Sequence, residues 1–199
     1  MTKSRYFIGL MSGTSADGID AALVSVADDG DLSLLEVCES RYPDPLRHTI
    51  FSLQREANCD LNDLVATDIE VAECFAGAVH QLIDKAGIDV ESVSAIGSHG
   101  QTLLHQPNAE RPFSLQIGNA NVIAELTGIT VVAGFRGRDI AAGGQGAPLT
   151  PLFHRAMIEQ AAGNQDIAQL GVINIGGIAN ISLFAEATTF GFDIGPGNT

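Results

Sequence analysis

GLMSGTSADGID, Gly9–Asp20, joins two apolar runs, Tyr6–Leu10 before it and Ile19–Val26 (IDAALVSV) after it. The second run is rich in small and β-branched residues. A tight polar turn between two such runs is a hairpin signal, here with an unusually decorated tip. The turn Asp28-Asp29-Gly30 leads into a third candidate strand, Leu32–Val37. Three consecutive antiparallel strands at the start of a chain are a first clue to architecture.

Outward from this hairpin, Leu61–Ala86 is the clearest helix. Val65, Ile69, Ala72, Phe75, Val79, Leu82 and Ala86 recur at spacings of three and four and so share one face. Asp60 is placed to cap its start and Gly87 to end it. Ser92–Gly97 (SVSAIG) reads as a buried strand ending in Ser98-His99-Gly100-Gln101. A Pro/Asn-rich loop, a strand over Phe113–Ile117, a short helix over Asn119–Thr127 closed by Gly128, and a core strand over Ile129–Ala133 follow. Leu149–Gln160 reads as a helix after the glycine-rich Ala141–Pro148. Asn164–Gln169 is a polar linker, after which the pattern restarts. Gly171–Ile175, the turn Gly176-Gly177, Ile181–Phe184 and Phe190–Asp193 repeat the order strand, glycine turn, strand. The expectation is a duplicated α/β fold, with a first domain over 1–163 and the start of a second, similar domain over 164–199.

Three glycine-rich polar loops end apolar strands: Ser12–Asp20, Ala141–Pro148 and Phe192–Thr199. Glycine permits positive φ and lets backbone N–H groups approach an anion. Thr14 and Ser15 add hydroxyl donors; Asp17, Asp20 and Asp193 add carboxylates able to hold Mg²⁺ through water or to accept a proton. Each loop alone is compatible with an ordinary tight turn; together they suggest an anion or nucleotide site. The P-loop signature is absent, and the only lysines are Lys3 and Lys85. Neither a G-x-G-x-x-G opening a helix nor a G-x-S-x-G elbow occurs. His99, in SHGQT, either contacts a ligand or satisfies backbone groups in a turn. Arg136 and Arg138, in GFRGRD, either bind a carboxylate or phosphate or form a solvated loop face.

Composition sets outer bounds. The chain has 199 residues, 45% of them hydrophobic and 17% charged, with a formal net charge of −14. Nucleic acid is not an expected partner, because a phosphate backbone needs a basic surface. Cys38, Cys59 and Cys74 are widely spaced and form neither a disulfide framework nor a zinc motif. The N-terminal apolar run is too short for a signal sequence and no run approaches a membrane span, so a cytoplasmic protein is expected.

GLMSGTSADGID closely resembles the phosphate-binding hairpin of the anhydro-N-acetylmuramic acid kinases. So do AIGSHGQT (Ala95–Thr102), LQIGN (Leu115–Asn119), AELTGI (Ala124–Ile129), RDIAAGGQGAPL (Arg138–Leu149), NIGGIAN (Asn174–Asn180) and GFDIGPGN (Gly191–Asn198), in the same order. The resemblance implies an actin-like ATPase (ribonuclease H-like) α/β domain plus the truncated start of a second one. It implies ATP and Mg²⁺ as cofactors, and a reaction that hydrolyses the 1,6-anhydro ring and phosphorylates O6 in peptidoglycan recycling. Gly13, Thr14, Ser15, Ala16, Asp17, Gly18, Ile19 and Asp20 would surround the ATP phosphates. Asp193 would be the general base, Gln101 and Arg136 sugar contacts, and the assembly a homodimer.

Two departures stand out. Gly134 occupies a position where the family usually has aspartate. The family chain runs nearly twice this length, so this chain is expected to be an N-terminal half that lacks the adenosine-binding loops and is incomplete for activity. The alternative is a non-catalytic remnant that binds the sugar or a partner chain.

Overall fold

The computed structural model describes residues 4–55, 58–163, 166–168, 170–176, 178–185 and 188–197. Asn164, Gln165 and Gln169 of the expected linker, Gly177 of the expected turn, and Asn198-Thr199 of the last glycine loop lie outside the described residues. The chain divides into two compact units, one ending at Gly137 and the other starting at Arg138.

The first unit is built on a mixed sheet. The strands β1 (Ser4–Ser12), β2 (Ile19–Ala27) and β3 (Leu32–Ser40) form the expected antiparallel meander, with Leu10 opposite Ala21 and Leu23 opposite Glu36. The other edge of β1 takes β4 (Val93–Gln106) in parallel, with Ile8 opposite Ile96. β5 (Phe113–Ile117) then pairs antiparallel with the far half of β4, giving the order β3-β2-β1-β4-β5. The two-residue strand β6 (Val131–Val132) lies parallel to the first half of β4.

Strand β4 is longer than its sequence suggests. A strand ending at Gly97 was expected, with SHGQ as the turn after it; the strand runs on for 14 residues. Gly100 explains this. It sits at φ +77°, and a Cβ there would stand 2.6 Å from the Ile117 carbonyl oxygen. Only glycine lets the strand bend and continue while β5 comes this close. His99 and Gln101 are therefore strand residues.

Helix α1 (Asp44–Arg55) was not among the expected elements. Its buried residues Leu46, Ile50 and Leu53 nevertheless keep helical spacing. Helix α2 (Leu61–Ala86) matches its expected bounds: the Asp60 carboxylate accepts the Asn62 N–H, and Gly87 closes the helix in a left-handed conformation. Val71, Phe75, Val79 and Leu82 join Ile8, Leu10, Leu23 and Ile96 in one buried cluster. Burial of each such side chain contributes about 1.5–3 kcal/mol. The central stripe of α2 runs 67, 71, 75, 78, 82, close to the 3.6-residue period. Val65 and Ile69 fall at its edge and are exposed, contrary to the expectation that they share the buried face. Helix α3 (Ala120–Thr127) follows β5, capped by Asn119. GFRGRD, read as a loop, instead enters helix α4 (Phe135–Ala141), which crosses the division between the units.

In the second unit, helix α5 (Thr150–Ala162) packs on a three-stranded antiparallel sheet, β7 (Gly171–Ile175), β8 (Ile178–Phe184) and β9 (Thr189–Pro196). A His154 ring nitrogen lies 2.8 Å from Ser182 Oγ, and Arg155 donates to the Ala185 carbonyl at 3.1 Å. Ile173, Ile175, Phe190 and Phe192 share one sheet face by register and alternation, and all four are exposed. Among the described residues no helix is long and apolar enough to cross a membrane.

Candidate functional site

Ser12 ends β1 and Ile19 opens β2, so the expected loop becomes the tip of a hairpin whose two legs are core strands. Ala16 turns the chain at φ +47° with its side chain fully buried, and its N–H donates to the Gly13 carbonyl at 3.0 Å. Gly18 passes so close to β3 that a Cβ there would stand 2.8 Å from the Ser40 carbonyl oxygen.

The loop carbonyls are drawn inward. Gln101 Nε2 donates to Gly13 O at 2.9 Å. Gln54 Nε2, on α1, donates to Thr14 O at 3.0 Å and to Thr102 O at 2.9 Å. Arg47 Nε, also on α1, donates to Ala16 O at 3.0 Å. Ser12 Oγ lies 2.7 Å from both Gly18 O and Gln101 Oε1, so its single proton serves one of them at a time. With the acceptors at residues 13, 14, 16 and 18 engaged by the protein, the loop's outer surface is left with glycine backbone and the exposed Thr14, Ser15, Asp17 and Asp20 side chains. A glycine loop with its carbonyls engaged elsewhere is suited to an anion.

Gln101, expected to touch the sugar, is fully buried. Its amide is committed to Gly13, to Ser12 and, at 3.4 Å, to the Tyr42 hydroxyl. Burial pushes the Tyr42 hydroxyl pKa well above its ordinary value, so it remains a donor. Asp17 is held below the usual carboxylate range, first by the Ser15 hydroxyl and then by Arg47, whose guanidinium lies 2.7 Å away. Arg47, Gln54 and Tyr42 were not singled out from the sequence; the apolar spacing of α1 was the available signal.

A cavity of about 480 Å³ opens against this loop, walled by Gly13, Ser15, Asp20, Glu39 and Arg41 among others. Asp20 and Glu39 are direct cross-strand partners, and like charges so placed repel. Among the described residues no three His, Cys, Asp or Glu side chains converge as a metal cage. Two carboxylates beside such a loop would suit Mg²⁺ arriving with a phosphate, because magnesium takes one or two protein carboxylates and keeps much of its water.

A second cavity, about 360 Å³, lies in the same unit beside Ser98, His99, Gln116, Asn119 and Gly134. His99 Nδ1 is 2.8 Å from the Gly100 carbonyl, which can only accept, so that nitrogen carries the proton. His99 Nε2 then accepts from Arg136 Nε at 2.8 Å. Burial first, and the Arg136 charge after it, push the His99 pKa down, keeping the ring neutral. The structure thus joins Arg136 to His99, and joins Gln101 to the Gly13–Asp20 loop.

Asp193 belongs to the second unit. It is exposed on β9, directly opposite Asn180 of β8. In the glycine-rich Ala141–Pro148 segment, Asp139 accepts the Gly146 N–H at 2.7 Å through its carboxylate and the Gly144 N–H at 2.9 Å through its carbonyl.

A family model described as anhydro-N-acetylmuramic acid kinase matches residues 5–199. Curated relatives bearing that name include proteins of Shewanella loihica, 46% identical over 196 residues, and Xanthomonas axonopodis pv. citri, 49% identical over 199 residues. Each alignment covers 98% of this chain and 52% of the relative. A Coxiella burnetii relative is 45% identical over 202 residues. The chain spans about half the length of the curated relatives it matches. Solved structures with some likeness include YeaZ from Pseudomonas aeruginosa (14% identical, TM-score 0.35, 98% of this chain and 70% of that one). An exopolyphosphatase-like protein is 13% identical with a TM-score of 0.44, covering 96% of this chain and 51% of that one.

Proposed function

Because the chain belongs to the anhydro-N-acetylmuramic acid kinase family, we propose that it supplies the phosphate-binding face and the general base of an ATP-dependent sugar kinase. The observation that carries this reading is the loop Gly13–Asp20, whose carbonyls at 13, 14, 16 and 18 are turned into the protein. A loop presenting donors, with carboxylates at its edge, suits the triphosphate of a nucleotide. Asp20 and Glu39 are the carboxylates that would hold Mg²⁺ there, and the ion would neutralise charge on the phosphates. The domain division at 163/164, an actin-like first α/β domain followed by the start of a second, a homodimer and a cytoplasmic role in peptidoglycan recycling are parts of the same proposal.

The reaction assigned to it is hydrolytic phosphorylation. Water bonds to the anomeric carbon as its proton passes to the Asp193 carboxylate. The bond from that carbon to O6 breaks, O6 takes the γ-phosphoryl group of ATP, and ADP leaves. An exposed carboxylate on β9 can accept such a proton if it stands within hydrogen-bond reach of the water. Arg136 would contact the sugar directly; Gln101, being buried, would act by holding the loop.

A coupled ADP-release assay tests the proposal. The protein would be this chain, alone and joined to the C-terminal half of a relative, with ATP, Mg²⁺ and the anhydro sugar. We expect sugar-dependent turnover in the joined protein, reduced about 10²- to 10⁴-fold by Asp193→Asn. Undiminished turnover in that variant would remove Asp193 as the base, and no turnover in the joined protein would remove the kinase reading.

A further inference from the structure

Helix α1 has a second working face. Leu46, Ile50 and Leu53 turn into the core, and Gln54 reaches the Thr14 carbonyl. On the outer side His48, Phe51, Ser52 and Arg55 follow one another at spacings of three and four and so form one stripe. These four residues line a cavity of about 380 Å³. That volume lies within the range of small-molecule pockets, about 300–1,000 Å³. Phe51 is half-buried, while His48, Ser52 and Arg55 are exposed.

The wall departs from the character of the chain. The sequence has 24 Asp and Glu against 10 Lys and Arg, yet among the described residues the cavity wall holds an arginine and a histidine and no carboxylate. Among the described residues the side chains of His48, Ser52 and Arg55 make no hydrogen bond or ion pair. Arg55 is nevertheless held in place. Its guanidinium carbon stands 5.7 Å from the centre of the Phe51 ring, and that of Arg47 stands 4.9 Å from the same ring. The ring attracts a guanidinium without neutralising it. A side chain restrained in this way loses less freedom when a ligand arrives. Arg47 commits its donors to the Ala16 carbonyl and to Asp17, whereas Arg55 commits none.

Charge selects an anion, and the donor set selects phosphate. Arg55 offers a fork of N–H groups, Ser52 a hydroxyl, and His48 at least one N–H in every tautomer and charge state. Donors from three positions match the terminal oxygens of a phosphate better than the two oxygens of a carboxylate. The Phe51 ring adds apolar surface for an organic body. We infer that this cavity on α1 binds a small phosphomonoester, with its phosphate on Arg55, Ser52 and His48 and its organic part against Phe51. The cavity shares no lining residue with the one beside the Gly13–Asp20 loop, and the inference does not depend on the kinase reading.

The test uses the 199-residue chain, with phenyl phosphate as probe and inorganic phosphate and benzoate as controls. Ionic strength is held constant, because salt screens exposed charges. Amide chemical shifts and calorimetry are read on wild type, Arg55→Gln and Arg55→Lys. Phenyl phosphate is expected to move the amides of residues 48, 51, 52 and 55 saturably and to bind more tightly than either control. Arg55→Gln should weaken binding about tenfold, and Arg55→Lys should recover part of that loss, since the charge returns without the fork. Both variants change an exposed side chain, so their melting temperatures should stay close to wild type. Wild-type affinity in Arg55→Gln, shifts that do not saturate, or shifts confined to residues 13–20 overturn the inference. Inorganic phosphate or benzoate binding as tightly as phenyl phosphate also overturns it. None of these outcomes touches sugar-dependent turnover, so the kinase reading stands or falls by its own assay.

Discussion

His99 shows how much one side chain's setting decides. Its Nδ1–H is spent on the Gly100 carbonyl and its Nε2 accepts from Arg136, so a proton added to the ring would sit beside a guanidinium and break that bond. Its folded pKa therefore lies below the ordinary 6.5, with burial as the larger cause and Arg136 the smaller. The unfolded chain takes up a proton as pH drops through 6.5, while the folded chain resists. The stability held by neutral His99 is thus complete above pH 6.5 and is lost as pH falls toward the folded value. Thermal melts at pH 7 and pH 5 should show a drop in wild type that shrinks in His99→Gln; an equal drop in both would mean that other groups carry the dependence. Ser98, one residue earlier, is buried with its hydroxyl unpaired, and no sequence pattern says which of many hydroxyls folding leaves so.

At the scale of elements, α1 is the clamp on the loop. Gln54 holds Thr14 and Arg47 holds Ala16, so the helix fixes the shape of a segment more than thirty residues earlier in the chain. Gln54→Ala should speed amide exchange over residues 14–18 and weaken nucleotide binding by about 1–2 kcal/mol, read by exchange mass spectrometry and an ATP titration. Gln54→Glu, which keeps the size but loses the donor, should behave like the alanine variant; full ATP affinity in both would remove α1 from the loop's support. The hairpin that α1 clamps was legible in the sequence because apolar strands and a glycine-rich turn are local signals. Helix α2 was legible for the same reason, with its cap at Asp60 and its stop at Gly87. Helix α1 escaped because only three buried residues, Leu46, Ile50 and Leu53, mark its face among polar neighbours. The role of Gln101 escaped because its partner Gly13 is 88 positions away, and only the parallel pairing of β1 with β4 brings them together. The extension of β4 escaped because Gly100 reads as a turn residue, whereas its lack of a Cβ serves the approach of β5.

At the scale of the molecule, the second unit presents an apolar sheet face. Ile173, Ile175, Phe190 and Phe192 line one side of β7, β8 and β9, while α5 covers the other. A contiguous apolar face on a three-stranded sheet is an aggregation hazard. Ile175→Lys combined with Phe192→Lys should lower light scattering and dye binding in the 199-residue chain while leaving its melting temperature within a few degrees; unchanged scattering would show that this face is not what brings chains together. The first unit carries a different property of the whole. Its hairpin loop is tied to α1 and β4 before any ligand arrives, so its conformational entropy is lost on folding and not on binding. On the kinase proposal, capture of a phosphate-bearing ligand would need no slow rearrangement of that loop, and its speed would be set by diffusion and long-range charge. With a net charge of −14, this chain repels an anion at distance, so added salt, by shortening the Debye length, should quicken that encounter, the reverse of the usual behaviour of basic phosphate binders.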